Sequence, residues 1–313
     1  MEHRVTTMQG IGLAVLICGF ACSASAAAAP GPEIQIEDVE RFYEIYTATA
    51  GRPTVEQLQR DYLDRGTDGL HTLAKLRNVT AQSIADNVAK RPEIYANAKG
   101  CLDVLPRVRQ RLEVSLRELV RLYPQARTPP VTIVVGRGKP VGIGYPATGL
   151  QIGLEALCAV DWFTPNLEDR FVHVIAHEYA HVQQVAAAEQ EHLTVLQRSL
   201  LEGAAEFAAE LTSGKTAYSH FEPLTQGREK QIETAFVADQ DKTDLSAWLD
   251  NSTLQQPGDL GYWVGYRIVK AYYQHHPDPS QAFRDILEMS DAKAFLARSG
   301  WYPGIELPTS PKR

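Results

Sequence analysis

The sequence predicts an α+β fold that is mostly α, with a small β-sheet or hairpin between two helical parts. Apolar residues recur at helical spacing up to about Tyr123, as in EDVERFYEIY and LPRVRQRLEVSLRELVRLY. The segment PPVTIVVGRGKPVGIGYPATGLQIGLEAL then carries two short runs of β-branched or alternating apolar residues. Helical spacing returns from Thr164 onward. Helices are therefore expected on both sides of a short β region.

The first residues are typical of a secretory signal peptide. A short polar start with one arginine precedes an apolar run at residues 11–21, which is too short to cross a bilayer comfortably. An A-x-A motif at residues 24–26 predicts a mature chain that begins near Ala27. The residues before Cys22 fit a lipoprotein signal poorly, because Gly19 occupies the position of the usual aliphatic residue. We expect a periplasmic or secreted protein of the bacterial envelope, without a transmembrane segment after signal removal.

Charge and segment composition predict three parts and the kind of partner. The formal net charge is −7, and loss of residues 1–26 removes one acid and one base and leaves it unchanged. A mildly acidic surface argues against nucleic acid or an anionic membrane as the main partner. The parts are the signal peptide (1–26), an N-terminal helical region (27–125) and a domain at residues 126–313.

Two cysteines remain after Cys18 and Cys22 leave with the signal peptide. In an oxidising compartment, Cys101 and Cys158 form either one disulfide or two separately buried thiols, and the sequence favours neither. Neither residue lies in a C-x-x-C pair, so a zinc site built on cysteine is not expected.

Several short patterns predict where elements begin. Thr54, followed by a glutamate and a glutamine, predicts a helix start, and Thr164 with Pro165 predicts the cap and first turn of a later helix. The runs at Val131–Val135 and Leu150–Leu154 predict two strands, paired across the loop rich in glycine and proline between them.

The stretch HVIAHEYAHVQQ contains the motif H-E-x-x-H. On a helix, His177 and His181 lie about 40° apart around the axis and about 6 Å apart along it, so both rings can reach one ion. Glu178 points about 100° away from His177, outside the first coordination shell but within reach of a water held by the metal. The motif thus separates two histidine ligands from a glutamate that takes a proton from that water.

The alternative is a helix that is rich in histidine and binds nothing. The flanking segments FVHVIA and YAHVQQVAAA are apolar, which predicts a largely buried helix, and buried imidazoles and carboxylates need partners such as a metal. His173, one turn before His177, is interpreted as a packing residue or as a residue behind the ligands rather than as a ligand.

A third ligand is sought among Glu202, Glu206 and Glu210, which follow at intervals of four in SLLEGAAEFAAEL. Such a stripe can be a solvated helix face. However, Gly203 and the neighbouring alanines allow close packing against the histidine helix, and a catalytic zinc usually takes three protein ligands with the fourth position left to water.

The motifs HEYAH and LLEGAAEF together resemble the gluzincin metallopeptidases, in which a glutamate on a following helix completes the site. The segment GDLGYWVGYRIVKAYY is similar to a bacterial family of predicted zinc-dependent proteases related to the gliding-motility lipoprotein GldB. The resemblance extends from the predicted strands to Tyr273 and implies a zincin-like core with the β-sheet or hairpin packed on the histidine helix.

The resemblance also implies roles for individual residues. It makes Glu202 the third ligand of a zinc ion beside the two histidines, and Glu178 the general base. Glu206 is the alternative ligand, or else an acceptor that orients a histidine N–H. Gluzincins often stabilise the oxyanion with a tyrosine or histidine, a role for which Tyr262 and Tyr266 are the candidates, with His220 less favoured.

The expected function is that of a zinc peptidase acting on a peptide or protein substrate. By the same resemblance, the strand around Leu150–Leu154 is expected to be the edge strand that pairs with an extended substrate. The alternative is a non-catalytic zinc-binding envelope protein on the same scaffold that acts through partner binding. Retention of Glu178 favours the enzyme, because structural zinc does not need a base that is not a ligand.

Overall fold

The computed structural model describes residues 1–2, 32–188 and 192–308, and the elements below all belong to one compact unit, Gly31–Arg313. The predicted signal peptide and its cleavage site lie outside the described residues, except for residues 1–2. Most described residues are helical and the strands form one small mixed sheet, which confirms the predicted fold class.

The first helices follow the expected helical region. They are α1 (Glu37–Ala48), α2 (Val55–Gln57), α3 (Asp68–Arg77), α4 (Ala81–Lys90), α5 (Pro92–Ala98) and α6 (Leu105–Leu122), with a π-helical segment at Leu58–Leu63 and a 3-10 helix at Lys99–Val104. The predicted start at Thr54 is confirmed, because its side chain and that of Gln57 form a capping box.

The strands and the later helices complete the fold. The strands are β1 (Ile34–Gln35), β2 (Val131–Val134), β3 (Gly142–Tyr145) and β4 (Gly149–Gly153). The later helices are α7 (Leu154–Ala159), α8 (Leu167–Gln183), α9 (Val185–Ala188), α10 (Val195–Ser213), α11 (Phe221–Thr225), α12 (Glu229–Asp239), α13 (Leu260–His275), α14 (Pro279–Leu287) and α15 (Ala292–Arg298).

The sheet has the strand order β1-β2-β4-β3. The two predicted strands, β2 and β4, are neighbours but run parallel, whereas β3 lies in the glycine-rich segment between them and pairs antiparallel with β4. The expectation that the Leu150–Leu154 segment is the edge strand is therefore wrong. Residues 150–153 belong to β4, which has a neighbouring strand on each side, whereas β3 is the edge strand next to it.

The histidine helix α8 packs against β3 and β4. Gly142 and Gly144 of β3 permit this contact, because an added Cβ would lie 2.6 Å from Oε1 of Glu178 at Gly142 and 2.0 Å from the backbone oxygen of Glu178 at Gly144. The edge strand thus runs directly beside the glutamate of the motif. Helix α8 begins later than predicted, because Asn166, rather than Thr164, is its N-cap and accepts from the backbone N–H of Asp169 at 2.9 Å.

Helices α10 and α13 approach so closely that their backbones touch. An added Cβ would lie 2.1 Å from the carbonyl carbon of Gly265 at Gly203, and 1.7 Å from the backbone oxygen of Ser199 at Gly265. Since α10 also packs on α8, this contact fixes the position of α10 between the other two helices.

Cys101 and Cys158 form a disulfide between the 3-10 helix and α7, with 6.4 Å between their Cα atoms. The pairing settles the alternatives left open by the sequence in favour of a cross-link. No helix in the described part of the chain is both long and apolar enough to span a bilayer.

Candidate metal centre

Helices α8 and α10 bring three side chains to a common point. The Nε2 atoms of His177 and His181 are 3.0 Å apart, and Oε2 of Glu202 lies 3.3 Å from the first and 3.1 Å from the second. In the described residues, this is the one group of three His, Cys, Asp or Glu side chains close enough to share an ion.

These distances fit a tetrahedral zinc ion. With metal–ligand bonds of about 2.0–2.1 Å, two ligands of a tetrahedron are separated by about 3.3 Å. The observed separations are only slightly shorter, and all three atoms face the same point. Two imidazoles and one carboxylate are also the donor set of some catalytic zinc sites, in which water takes the fourth position.

The remaining nitrogen of each imidazole is held by an acceptor. Nδ1 of His177 lies 2.7 Å from Oε1 of Glu206, and Nδ1 of His181 lies 2.6 Å from Oε1 of Gln184. With acceptors at these positions, a metal at the common point would be met by two neutral imidazoles, each with its proton on Nδ1 and its Nε2 lone pair directed at the ion. Glu206 therefore contacts His177 from behind and is not one of the three side chains at the common point.

Opposite charges within this buried group shift the pKa values of its members. Burial lowers the pKa of His177, but the hydrogen bonds to Glu202 and Glu206 outweigh it and raise the pKa to about 10. Burial raises the pKa of Glu202, but the positive charges of Arg198 and His181 outweigh it and hold the pKa well below its usual value. Without a metal, the site thus holds a protonated imidazole against a carboxylate, and an ion must displace that proton.

Glu178 lies beside this group without belonging to it. Its side chain is buried against Gly142 of β3. Burial raises the pKa of Glu178, whereas the charges of His181 and His177 lower it, and the net shift is upward. Glu178 thus places a buried carboxyl group next to the three converging side chains.

Residues 163–293 match the model of a family described as predicted Zn-dependent protease (DUF2268). The matched segment contains α8, α10 and α13, so it includes every residue of the candidate metal centre. No curated protein and no solved structure shows a significant match. Over this segment, the chain is similar to a family of predicted zinc proteases.

Of the two tyrosines predicted to support an oxyanion, Tyr262 is the one beside the histidines. Its ring lies nearly parallel to that of His177, with 6.1 Å between the centroids. Burial, followed by the charge of Glu202, raises the pKa of Tyr262 well above its usual value, so the hydroxyl keeps its proton. The hydroxyl of Tyr266 instead donates to Glu210 at 2.8 Å and accepts from Lys270 at 2.6 Å.

The two other histidines considered from the sequence lie outside the three-residue group. Nδ1 of His173 contacts the Ser213 hydroxyl at 2.7 Å, and burial lowers the pKa of His173 to about 4. The ring of His220 packs edge-on against Trp162, with 4.6 Å between centroids. His173 thus contacts Ser213 rather than a member of the three-residue group.

Three residues near the site were not assigned a role from the sequence. Gln184 and Arg198 contact the predicted ligands directly, and the backbone N–H of Tyr218 donates to Oε2 of Glu206 at 3.2 Å. The ring of Tyr218 also packs on that of Tyr262, with 4.8 Å between centroids. The spacing of Arg198, four residues before Glu202, was the one available signal, since such residues face each other on a helix.

Proposed function

We propose that this protein is a zinc-dependent peptidase of the gluzincin type, in which His177, His181 and Glu202 hold the metal. The observation that carries this proposal is the convergence of two Nε2 atoms and one carboxylate oxygen within 3.3 Å of one another, with Glu178 beside them. Similarity to a family of predicted zinc proteases supports the same activity.

His177, His181 and Glu202 would hold the zinc ion, which would supply a Lewis acid to polarise a carbonyl and to lower the pKa of a water. Glu178 accepts the proton of the attacking water on its carboxylate and transfers it to the leaving amine. The Tyr262 hydroxyl donates a hydrogen bond to the carbonyl oxygen as negative charge develops there.

The substrate is proposed to be a peptide or protein bound in extended form along β3. This strand is the edge of the sheet next to β4, and its glycines lie against Glu178. Pairing with the main chain of a substrate holds the scissile bond in place and makes little demand on side-chain sequence.

The site of action is proposed to be the bacterial periplasm or the exterior. The support comes from the signal-peptide pattern of residues 1–26 and from the disulfide, since disulfides persist mainly in oxidising compartments.

Substitution of the proposed base tests the activity separately from metal binding. We expect Glu178→Gln to retain one zinc per chain, because Glu178 is not a ligand, and to lose peptide hydrolysis by about 10²–10⁴-fold. The measurement is zinc content together with digestion of a diverse peptide library. Glu222→Gln, the same change at an exposed position, should leave both unchanged.

The non-catalytic alternative makes the opposite prediction for the same proteins. If the wild-type chain binds one zinc and cleaves no peptide in the library, and Glu178→Gln keeps its cellular role, the peptidase proposal is wrong.

A further inference from the structure

The two oxygens of Glu202 have different partners. Oε2 faces the Nε2 atoms of His177 and His181 at 3.3 and 3.1 Å. Oε1 faces away from them and lies 2.8 Å from Nη2 of Arg198. Arg198 precedes Glu202 by one turn of α10, so the same helix carries the carboxylate and the cation that holds it.

The ion pair between Arg198 and Glu202 is less exposed to solvent than an ordinary ion pair on a helix surface. The side chain of Glu202 is 3% exposed and that of Arg198 is 26% exposed. Arg117 and Glu113, which have the same spacing on α6, are 51% and 34% exposed. Solvent and side-chain entropy cancel most of the attraction in an exposed pair, whereas a hydrogen bond between charged groups in a buried site is strong and fixes geometry.

The manner in which Glu202 binds an ion decides how many ligand atoms surround that ion. A carboxylate binds a metal through one oxygen or through both. A catalytic zinc usually has three protein ligands and one position for water or substrate. Binding through both oxygens of Glu202 would add a fifth ligand atom that crowds this position, and it would require Oε1 to leave Arg198.

We propose that Arg198 is a positioning residue of the metal centre: by holding Oε1, it restricts Glu202 to coordination through Oε2 and keeps the ion at four ligands, the fourth being water or substrate. This inference rests on the proposed zinc site and adds to it a residue that acts through its contact with a proposed ligand, Glu202. Loss of the guanidinium frees Oε1 and removes the group that orients a ligand.

The test compares Arg198→Met with Arg117→Met in the mature chain. Methionine keeps an unbranched side chain in α10 but removes the charge and the donors. The control breaks an exposed arginine–glutamate pair with the same spacing. Zinc affinity is measured by competition with a chelator, and the coordination number is followed by the visible absorption of the Co²⁺-substituted protein, which weakens when four ligands become five.

We expect Arg198→Met to bind zinc about 10–100-fold more weakly, as is common when the partner of a metal ligand is removed. We also expect its Co²⁺ absorption to become weaker, while Arg117→Met resembles the wild type in both measurements. Unchanged zinc affinity would overturn the inference. Weaker affinity with a wild-type Co²⁺ spectrum would also overturn it, because Arg198 would then act only through its charge.

Folding is monitored by circular dichroism of the metal-free proteins. Should Arg198→Met fail to fold, Arg198→Gln, which is polar but uncharged and shorter, carries the same two expectations. A wild-type chain that binds no zinc would contradict the proposed function itself. A wild-type chain that binds zinc and cleaves peptides, with unchanged Arg198 variants, would contradict the inference alone.

Discussion

At the scale of single residues, the candidate centre consists of the three proposed ligands and of the side chains that hold those ligands from behind. His177 and His181 were identifiable from their spacing in H-E-x-x-H, since that spacing places both rings on one side of a helix. The acceptors behind them, Glu206 and Gln184, depend on how α10 and the end of α8 are placed, and spacing alone left Glu206 with two possible roles. The structure separates those roles through the contact between Glu206 and Nδ1 of His177.

Removal of the charge behind a histidine should weaken metal binding without removing a ligand. We expect Glu206→Gln to lower zinc affinity about 10–100-fold, because a neutral amide orients and polarises the His177 ring less than a carboxylate does. Competition with a chelator measures this effect. Wild-type affinity in Glu206→Gln would show that the contact has no role in binding.

Metal binding should release a proton from His177. The pKa of His177 is raised to about 10 without a metal, so below that pH the ring is protonated, and an ion that binds neutral imidazole must displace the proton. Apparent affinity should therefore rise about tenfold per pH unit from neutral pH towards pH 10. Calorimetry in buffers of different ionisation enthalpy counts the protons released.

An ordinary pKa of His177 would give a different dependence of zinc affinity on pH. If His177 had its ordinary pKa of about 6.5, proton release would vanish above about pH 7.5 and affinity would level off there. That observation would contradict the ion pair between His177 and the two glutamates.

At the scale of elements, close contacts through glycine set the position of the ligands. The helices α8, α10 and α13 were predictable from apolar spacing, and the small residues of α10 indicated close packing. Strand β3 was missed, because Gly142 and Gly144 carry no β-branched side chain and resemble a loop. Glycine has a low strand propensity, but at these two positions it allows the close contact with Glu178. That contact is visible only in the tertiary structure.

An added methyl group between α10 and α13 should separate them. We expect Gly203→Ala to lower the free energy of unfolding by about 1–3 kcal/mol, since the new Cβ would lie 2.1 Å from the carbonyl carbon of Gly265. This cost exceeds the gain of up to about 1 kcal/mol from the higher helix propensity of alanine. Denaturant unfolding measures the change.

A matched control is available for this substitution. Gly100 lies in the 3-10 helix, and an added Cβ there would meet nothing within 4 Å. Gly100→Ala should be neutral or slightly stabilising. Equal stability of Gly203→Ala and the wild type would mean that the helices tolerate a wider separation than their contact implies.

At the scale of the whole molecule, the candidate centre joins two helices, α8 and α10, that are not consecutive in the chain. His181 on α8 and Glu202 on α10 are separated by the segment that contains α9. An ion bound between the two helices stabilises the folded chain, because the unfolded chain does not present the ligands together. The apolar patterning predicted an α+β protein, but it could not show how these helices meet.

Removal of the metal should lower the melting temperature. At a free zinc concentration about 1,000 times the dissociation constant, binding adds about 4 kcal/mol to the free energy of unfolding, which the chelated protein lacks. Differential scanning calorimetry with and without a chelator measures the shift. His181→Ala should abolish it, whereas Glu178→Gln should retain it, and a shift of wild-type size in His181→Ala would place the stabilising ion elsewhere.

Anomalous X-ray scattering at the zinc absorption edge, measured from a crystal of the zinc-loaded protein, tests whether His177, His181 and Glu202 bind one zinc ion. One strong peak is expected at about 2.0–2.2 Å from the two Nε2 atoms and from Oε2 of Glu202. No peak at this position, or a peak with the Glu202 carboxylate outside coordination distance, would contradict the proposed zinc site.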